Sequence, residues 1–353
     1  MYKLDTAVWE ITLRCNISCL HCGSNAGVHS RTQELTTFEA LDLIEQLSDL
    51  GCRRVVLSGG EPFLRQDWAV LALRISSLGM RVSFISNGYV VDDDIIDLLC
   101  AIEPVGIGFS LDGGSAKTHD YIRGKSGCFD RCINALKKTS VRGLYSSAVT
   151  SVHKKNIGEL PQIMQILINN NVRAWQLQTA TPQGRMPREL ALNEEEYYYL
   201  AKFIADNKEK NRHLIRILGS DCIGYYSELS PKLHCKTWHG CQAGLRVIGI
   251  ESDGAIKGCL SLHGDDYIEG RIREHSLSEI WNNKENFKYN RRFSPDMLTG
   301  ICKGCKWGAI CRGGCSEQAL AFTGTPFESP FCLYNIEQKG LSKGSLEADQ
   351  VQA

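Results

Sequence analysis

The chain has 353 residues, of which 43% are hydrophobic and 23% are charged, an ordinary composition for a globular protein. This length suffices for one large α/β domain and a smaller second one. The 40 basic residues balance the 40 acidic ones, so the composition gives no indication of a nucleic-acid partner. No apolar run approaches the roughly 18 residues of a membrane span, and no signal peptide is visible, so we expect a cytoplasmic protein without a membrane anchor.

The first 180 residues alternate short β-rich runs with amphipathic helical stretches. The β-rich runs predict six strands, over 7–13, 53–60, 81–88, 105–113, 145–152 and 173–180. The stretches between them predict helices over 36–51, 66–78, 92–102, 128–140 and 157–169. Such alternation indicates βαβ units and a parallel sheet. Six units are too few for a closed eight-unit barrel, so the predicted fold is α/β, an open and partial (β/α)6 TIM barrel.

The pattern changes after residue 180. Residues 192–211 predict a long, charged helix, and from His234 onward the chain is rich in glycine and cysteine with few periodic segments. Such a segment buries little apolar core and needs metal ions to order it. We therefore predict a barrel domain (1–215), a bridging region (216–234), a small cysteine-rich domain (235–335) and a polar tail (336–353).

Sixteen cysteines without a secretion signal indicate metal ligands or catalytic thiols rather than disulfides. Three of them follow the first predicted strand with the spacing C-x3-C-x2-C: Cys15, Cys19 and Cys22. Three thiolates suit a [4Fe–4S] cluster whose fourth iron stays free for a ligand that the protein does not supply. A zinc site completed by His21 or His29 is the alternative.

Three further motifs lie at the ends of predicted strands, where ligands gather in parallel sheets. They are "SGGEP" at 58–62, "SNG" at 86–88 and "SLDG…HDYIRG" within 110–124. In this order, and together with the three-cysteine loop, they resemble the radical S-adenosylmethionine (SAM) superfamily. The resemblance covers about residues 5–215. It implies that the three cysteines bind a [4Fe–4S] cluster and that SAM occupies the fourth iron.

The same resemblance implies the SAM contacts. The Gly-Gly-Glu-Pro turn would contact the methionine amino group, because glycines let the backbone approach and a glutamate helps to hold an ammonium. The polar pair after the third strand would contact the ribose, and a serine and an arginine of the next motif would hold the carboxylate and ribose. A glutamine near the sixth strand is a candidate for the adenine side. The implied residues are Gly59, Gly60, Glu61, Pro62, Ser86, Asn87, Ser110, Arg123 and Gln178.

The later cysteines resemble a second pattern. From Cys241 onward, seven of them match the SPASM spacing C-x9–15-G-x4-C, a gap, C-x2-C-x5-C-x3-C, a gap and C. SPASM domains bind two auxiliary [4Fe–4S] clusters, so the resemblance implies three clusters in all. The implied ligands are Cys235, Cys241, Cys259 and Cys315 for the first auxiliary cluster, and Cys302, Cys305, Cys311 and Cys332 for the second. A pair of zinc sites is the alternative.

These resemblances imply an enzyme that reductively cleaves SAM to a 5′-deoxyadenosyl radical and abstracts hydrogen from a substrate. A flavodoxin- or ferredoxin-type protein would supply the electron. SPASM-type members mostly modify peptides or proteins, so the leading hypothesis is thioether or carbon–carbon crosslinking, or oxidation, of a ribosomally made peptide. Haem- or quinone-type cofactor maturation, peptide epimerisation and a non-enzymatic iron–sulfur electron carrier remain as alternatives.

Three residues bear on the substrate. Leu260 stands where the sulfatase-maturating members have an aspartate base, so that activity is not expected. Cys15 lies too near the start for the winged peptide-recognition domain of several maturases, so leader recognition would need a separate protein or the enzyme's own surface. Cys222 is a candidate donor of a hydrogen atom to a carbon radical. The remaining cysteines are interpreted as thiols without a catalytic role: Cys52, Cys100, Cys128 and Cys132.

Overall fold

The computed structural model describes residues 2–27, 31, 33–233 and 238–340, and within them it contains one sheet of ten strands. The strands are β1 (Thr6–Glu10), β2 (Arg54–Ser58), β3 (Arg81–Ser86), β4 (Ile107–Ser110), β5 (Ser146–Val152), β6 (Ala174–Thr179), β7 (Arg216–Gly219), β8 (Val247–Ile250), β9 (Ala255–Lys257) and β10 (Gly270–Arg271). Their order is β10-β9-β8-β1-β2-β3-β4-β5-β6-β7. The sheet is therefore open, with β10 and β7 at its two edges.

Helices follow the strands of the first half and continue as short segments in the second. They are α1 (Thr37–Asp49), α2 (Trp68–Ser77), α3 (Asp93–Ile102), α4 (Ala116–Arg123), α5 (Cys128–Val141), α6 (Leu160–Asn169), α7 (Glu194–Lys210), α8 (Ser230–Leu233), α9 (Leu277–Asn282), α10 (Lys288–Arg291), α11 (Gly308–Cys311), α12 (Ser316–Thr323) and α13 (Leu333–Gln338). Neighbouring strands from β1 to β7 are parallel, so each crossover between them must return over the sheet. No helix in the described part of the chain is long and apolar enough to cross a membrane.

Large apolar side chains from the strands form the core of the barrel. Five of the first six strands each bury at least one aromatic or leucine side chain completely, among them Trp9, Leu57, Phe84, Phe109 and Trp175. Helix α1 shows why the flanking helices form where they do. Its N-cap Thr36 and Glu39 make a reciprocal capping box, and its inner face is buried against the sheet, whereas Phe38 on the other face is 82% exposed.

The six predicted strands are all present, and the predicted open, partial barrel is confirmed. The first strand ends earlier than expected, at Glu10, because the following residues leave the ladder to meet the turn after β2. Thr12 accepts a hydrogen bond from the Gly60 amide (2.8 Å), and Arg14 accepts one from the Glu61 amide (2.8 Å). Helix α4 was not predicted, because it has only eight residues and most of them are polar.

Two further parallel strands extend the predicted sheet. β7 pairs with β6, and β8 pairs with β1, with Thr6 opposite Val247. The strands β8, β9 and β10 then continue as antiparallel pairs. The cysteine-rich region is thus joined to the barrel through the β1 edge of one continuous sheet. This pairing brings the end of β8 beside the end of β1, where the three-cysteine loop begins.

Candidate active site

The three N-terminal cysteines lie on the loop after β1 and line one cavity of about 130 Å³. Six of the residues predicted to bind SAM line the same cavity: Gly59, Gly60, Ser86, Asn87, Ser110 and Arg123. Glu61 and Pro62 are buried next to it, and Gln178 lines a neighbouring, larger cavity. The structure therefore brings together motifs that come from the ends of β1, β2, β3 and β4.

Each of the three sulfur atoms in this cavity accepts at least one N–H group. The contacts include Ala26 N to Cys22 Sγ (3.3 Å), Asn87 Nδ2 to Cys15 Sγ (3.6 Å) and Arg123 Nη1 to Cys19 Sγ (3.7 Å). Such donors stabilise negative sulfur, both in a thiolate and in a cluster. Burial raises the pKa of the Cys15 thiol to about 11, so metal binding has to displace its proton. Three thiolates that each accept an N–H group fit a [4Fe–4S] cluster.

The zinc alternative gains no support from the histidines. The Nε2 atom of His21 lies 3.0 Å from a carboxylate oxygen of Asp112, and His29 lies outside the described residues. In the part of the chain that the structure describes, no group of three or more His, Cys, Asp or Glu side chains is arranged to hold a single ion. A cubane cluster differs from such a site, because each thiolate binds a different iron atom.

The glycines of the 59–62 turn allow it to pack against the cysteine loop. Gly59 has a φ of +149°, and a Cβ atom on Gly60 would collide with the carbonyl oxygen of Arg14. The turn and the loop are tied together by the two backbone hydrogen bonds to Thr12 and Arg14 described above. Any side chain at Gly60 would push the loop away from the sheet, so these glycines set the position of the cysteines.

Glu61 connects this turn to the end of β3. Its side chain is fully buried and accepts hydrogen bonds from the Ser86 hydroxyl (2.9 Å) and the Asn87 amide (2.8 Å). Burial raises the pKa of the Glu61 carboxyl to about 7, although both hydrogen bonds act in the opposite direction. The Asn87 side-chain amide in turn donates a hydrogen bond to the side-chain oxygen of Asn16 in the cysteine loop (2.9 Å). The contact of Glu61 with the SAM ammonium stays a prediction.

Two residues that the sequence analysis did not single out belong to this site: Arg185 lines the cavity, and Asp112 contacts two of its lining residues. Arg185, in the segment after β6, donates from Nε to the Cys19 carbonyl (2.9 Å), and its amide donates to the Cys22 carbonyl (3.0 Å). Asp112, in the "SLDG" motif, is fully buried and contacts both His21 and Arg123. A buried acid in a strand-end motif was a signal that could have identified Asp112, whereas nothing in the sequence around Arg185 marks it.

A larger cavity of about 420 Å³ adjoins the first one and shares His21, Ser58 and Gly59 with it. Gln178 lies in its wall and donates to the Ser151 hydroxyl (3.1 Å). Cys222 also lies there, and its sulfur accepts from the amide and hydroxyl of Thr179, both at 3.4 Å. Burial raises the pKa of Cys222, so this side chain remains a thiol.

Three cysteines of the predicted first auxiliary site line this larger cavity: Cys241, Cys259 and Cys315. The fourth, Cys235, lies outside the described residues. Burial raises the pKa of Cys259 to about 12, and the neighbouring Cys241 contributes to the rise. Glu317 also faces the cavity, accepts from the Thr181 hydroxyl (2.5 Å) and has its pKa raised by burial to about 7. Closely spaced, buried thiols fit a cluster that takes their protons away.

The four cysteines of the predicted second auxiliary site line a separate cavity of about 280 Å³: Cys302, Cys305, Cys311 and Cys332. The Cys302 sulfur accepts a hydrogen bond from the Ser329 amide (3.3 Å). Burial raises the pKa of Cys311 to about 12, and the other three thiols contribute to the rise. The structure thus separates the seven later cysteines that it describes into the two groups that the resemblance implies, and four thiols of this kind fit a fully protein-ligated [4Fe–4S] cluster.

An aromatic pair lies between these two cysteine groups. The Tyr225 hydroxyl accepts from the Cys315 amide (2.8 Å), and its ring lies 5.0 Å from the Trp238 ring. Trp238 lines the larger cavity and donates to the Cys311 carbonyl (3.2 Å). Trp175, by contrast, is fully buried in the barrel core.

The other cysteines do not line the cavities, although Cys128 packs in one buried cluster with Cys15 and Cys19, and Cys132 donates to the Ser110 carbonyl (3.6 Å). Cys52, Cys128 and Cys132 are buried and Cys100 is half-buried. Among the cysteines that the structure describes, all are free thiols. Nothing in their surroundings indicates a further metal site, which agrees with their interpretation as packing residues.

Comparison with protein families identifies the class to which this site belongs. A radical SAM superfamily model matches residues 9–167, and a model of the SPASM iron–sulfur cluster-binding domain matches residues 241–306. The chain is a member of the radical SAM superfamily of enzymes. Within that superfamily it is a SPASM-type enzyme, with SAM and iron–sulfur clusters as its cofactors.

Individual relatives agree with this assignment. The chain is 28% identical to the AdoMet-dependent heme synthase of Methanosarcina barkeri, over 94% of this chain and 97% of that protein. It is 27% identical to the mycofactocin maturase MftC of Mycolicibacterium smegmatis, over 91% of this chain and 80% of the relative. The crystal structure of Streptococcus suis SuiB superimposes with a TM-score of 0.76 at 17% identity, covering 94% of this chain and 77% of SuiB. At that identity the likeness shows the fold alone.

Proposed function

We propose that this enzyme modifies a ribosomally made peptide by hydrogen abstraction in the larger cavity. When a reduced [4Fe–4S] cluster and SAM are bound at the first cavity, they supply the 5′-deoxyadenosyl radical that removes the hydrogen. Cys15, Cys19 and Cys22 hold this cluster, while the turn at 59–62 and the residues at the ends of β3 and β4 hold SAM. The larger cavity adjoins this site, so a substrate bound there lies next to SAM.

The charge of the larger cavity favours a peptide as substrate. Its described wall contains three acidic residues, Glu10, Asp221 and Glu317, and among the described residues no lysine or arginine lines it. A haem precursor is a tetrapyrrole that carries several carboxylates, and the described wall offers them no lysine or arginine partner. Peptide amides and neutral side chains need no such partner, and the acidic Glu10 is itself paired with Arg31. The absence of cationic residues from the described wall is the observation on which this choice rests.

The remaining residues of the cavity suggest how the reaction ends. We assign two auxiliary [4Fe–4S] clusters to the later cysteines, with Cys235 as the fourth ligand of the first. Three ligands of the first auxiliary cluster line the cavity, so that cluster is placed to accept an electron from a product radical. Tyr225 and Trp238 connect it to the second group. An electron leaving the substrate in this way would yield a crosslinked or oxidised peptide.

Tetrapyrrole processing is the second candidate. It is favoured by the heme synthase of Methanosarcina barkeri, because that match covers nearly the whole of both chains. Peptide epimerisation is a variant of the first candidate, and the position of Cys222 favours it. A thiol in the cavity wall could return a hydrogen atom to the opposite face of a peptide radical, and burial keeps Cys222 in the required S–H form.

The proposed partners follow from this chemistry. The N-terminal cluster needs a one-electron donor, for which we propose a flavodoxin- or ferredoxin-type protein, and a separate leader-recognition protein remains part of the hypothesis.

We place the enzyme in the cytoplasm, because its iron–sulfur clusters and many free thiols need a reducing compartment. The substrate class can be tested without either protein, with a chemical reductant.

The experiment incubates anaerobically reconstituted enzyme with SAM and reductant, and offers it either a candidate precursor peptide or an iron-containing tetrapyrrole. We expect the peptide to lose two hydrogen atoms by mass spectrometry in a crosslink or oxidation, and to gain deuterium in D₂O if it is epimerised. Cys222→Ser should abolish the deuterium gain and leave a crosslink unaffected. Turnover of the tetrapyrrole with no change in any peptide would contradict the proposal and establish the second candidate.

A further inference from the structure

Asp112 contacts two polar side chains at the edge of the first cavity, the one lined by Cys15, Cys19 and Cys22, which is called the SAM cavity below. It follows β4 and is fully buried, and its Oδ1 atom accepts a hydrogen bond from the Ser151 amide of β5 (2.7 Å). Its Oδ2 atom lies 3.0 Å from Nε2 of His21 and forms an ion pair with Arg123. The sheet therefore fixes the carboxylate from one side, and the carboxylate fixes two side chains on the other.

His21 has a polar atom that the protein leaves without a partner. Its side chain is 9% exposed and lines both the SAM cavity and the larger cavity. The Nε2 atom faces a carboxylate and therefore carries the ring proton, because two lone pairs at this distance would repel each other. The Nδ1 atom is buried and makes no hydrogen bond. Buried polar atoms are nearly always paired, so a ligand is expected to complete this one.

Arg123, the second partner of Asp112, also has a buried polar atom without a hydrogen-bond partner. Its guanidinium donates to the Cys19 sulfur (3.7 Å), while its Nε atom is buried without a hydrogen-bond partner. The ion pair with Asp112 keeps the guanidinium directed at the cysteine loop. One carboxylate thus orients two side chains that line the SAM cavity and come from the cysteine loop and from α4.

We propose that Asp112 is a positioning residue for SAM binding, which holds His21 so that Nδ1 accepts a hydrogen bond from the adenosyl group and holds Arg123 against Cys19. This inference rests on the assignment of SAM to the first cavity and is independent of the substrate class. Removing the carboxylate should let His21 rotate and weaken the Arg123 contact, while the three cysteines remain in place.

The chain offers a matched control for the loss of a buried carboxylate. Asp5 is 4% exposed and pairs with Arg53 and Arg54, and it lies just before β1, at the opposite end of that strand from the cysteine loop. Both Asp5→Asn and Asp112→Asn remove one buried charge next to two basic or polar partners. The two variants differ in their distance from SAM.

The experiment measures SAM binding to reconstituted protein by equilibrium dialysis, and the change in the EPR signal of the reduced N-terminal cluster when SAM is added. For Asp112→Asn we expect SAM affinity to fall by about tenfold or more, as for loss of a charge-assisted contact, with a weaker SAM-induced EPR change. Asp5→Asn should bind SAM like the unmodified protein. Unchanged affinity and EPR response in Asp112→Asn would overturn the inference.

If Asp112→Asn does not retain its cluster, a second pair of variants tests whether Nδ1 of His21 contributes to SAM binding. In His21→Asn the amide oxygen stands near the position of Nδ1, whereas His21→Leu has no polar atom there. We expect His21→Asn to bind SAM within about threefold of the unmodified protein and His21→Leu to lose about tenfold. Equal affinities in His21→Leu and the unmodified protein would overturn the inference. Because SAM binding needs no peptide, these outcomes are separate from those that test the proposed substrate.

Discussion

The N-terminal and C-terminal cysteine sites are built in different ways. At the first, two of the three sulfur atoms accept hydrogen bonds from side chains distant in sequence, Asn87 and Arg123. At the later sites most donors are backbone groups a few residues from the cysteine, as Ser261 is for Cys259 and Asn335 is for Cys332. The sheet therefore positions the first site, whereas local turns position the later ones.

This difference matches the demands on the two kinds of site. In the proposed assignment the first site keeps one position open for SAM, so the protein and not the cluster has to hold the cysteines apart. In the same assignment four thiolates close each later site, and a bound cluster would itself hold short turns and helices together. The predictions below test this contrast, beginning with the largest expected effect.

Loss of a ligand in the second auxiliary site should abolish product but not SAM cleavage. In Cys311→Ala we expect 5′-deoxyadenosine at close to the normal rate and no modified substrate, because the electron from the product radical has no path out. Liquid chromatography and mass spectrometry of the same reaction measure both compounds. Retention of full product formation would show that this cluster is not needed for electron transfer.

A methyl group at Gly60 should displace the cysteine loop. We expect Gly60→Ala to lose iron from the N-terminal site and to be destabilised by about 3 kcal/mol or more, because the new Cβ would meet the Arg14 carbonyl. Gly27→Ala is the matched control, since its Cβ would have no atom within 4 Å. Iron analysis and urea unfolding measure the two effects. Similar behaviour of the two variants would refute the packing role of Gly60.

Iron removal should affect the two regions unequally. In protein treated with a chelator and reductant, we expect amide hydrogen exchange to increase strongly in 241–340 and much less in β1–β6. The barrel has a large apolar core of its own, whereas the cysteine-rich region has short helices and few strands. Mass spectrometry of peptic fragments measures the exchange. A uniform increase in exchange over the whole chain would show that the barrel and the cysteine-rich region depend on iron equally, which contradicts this account.

The smallest expected effect concerns two buried histidines near the SAM cavity. Burial lowers the pKa of His119 and of His153 to about 4. The unfolded chain therefore binds more protons than the folded one between about pH 4 and 6.5, and stability falls as the pH is lowered through this range. Each histidine should account for a loss of about 0.8 kcal/mol between pH 7.5 and 6.0.

His153→Gln should remove one of these two contributions, so its unfolding free energy should depend less on pH than that of the unmodified protein. Urea titrations at the two pH values, followed by tryptophan fluorescence, measure the difference. The exposed His213 provides the control, and His213→Gln should keep the original pH dependence. A steeper fall in His153→Gln would contradict the assigned shift.

The sequence allowed the barrel strands to be predicted, because alternation is a local pattern, whereas the grouping of the later cysteines came from the resemblance to SPASM domains. The strands β7 and β8 are only four residues long, and the pairing of β8 with β1 joins Thr6 to the distant Val247. Local patterns carry no information about such a contact. For this reason the sequence analysis missed β7 and β8, which extend the sheet beyond the six predicted strands.

The same limit applies to the site. The strand-end motifs predicted residues that line one cavity, since the carboxyl ends of parallel strands must meet, and their contacts with SAM stay a prediction. The contacts of Arg185 with the cysteine loop, of Asp112 with His21 and of Glu317 with Thr181 depend on how loops fold over the sheet. No spacing rule relates these residues, so only the folded chain reveals them.

The assignment of an open [4Fe–4S] site to the N-terminal cysteines is tested most directly by SAM cleavage. Anaerobically reconstituted, reduced protein is incubated with SAM, and 5′-deoxyadenosine is measured for three proteins: unmodified, Cys15→Ala and Cys52→Ala. Cys52 is a buried thiol outside the cavities and serves as the control. We predict 5′-deoxyadenosine from the unmodified protein and from Cys52→Ala, and none from Cys15→Ala. Equal amounts from Cys15→Ala and the unmodified protein would contradict the assignment.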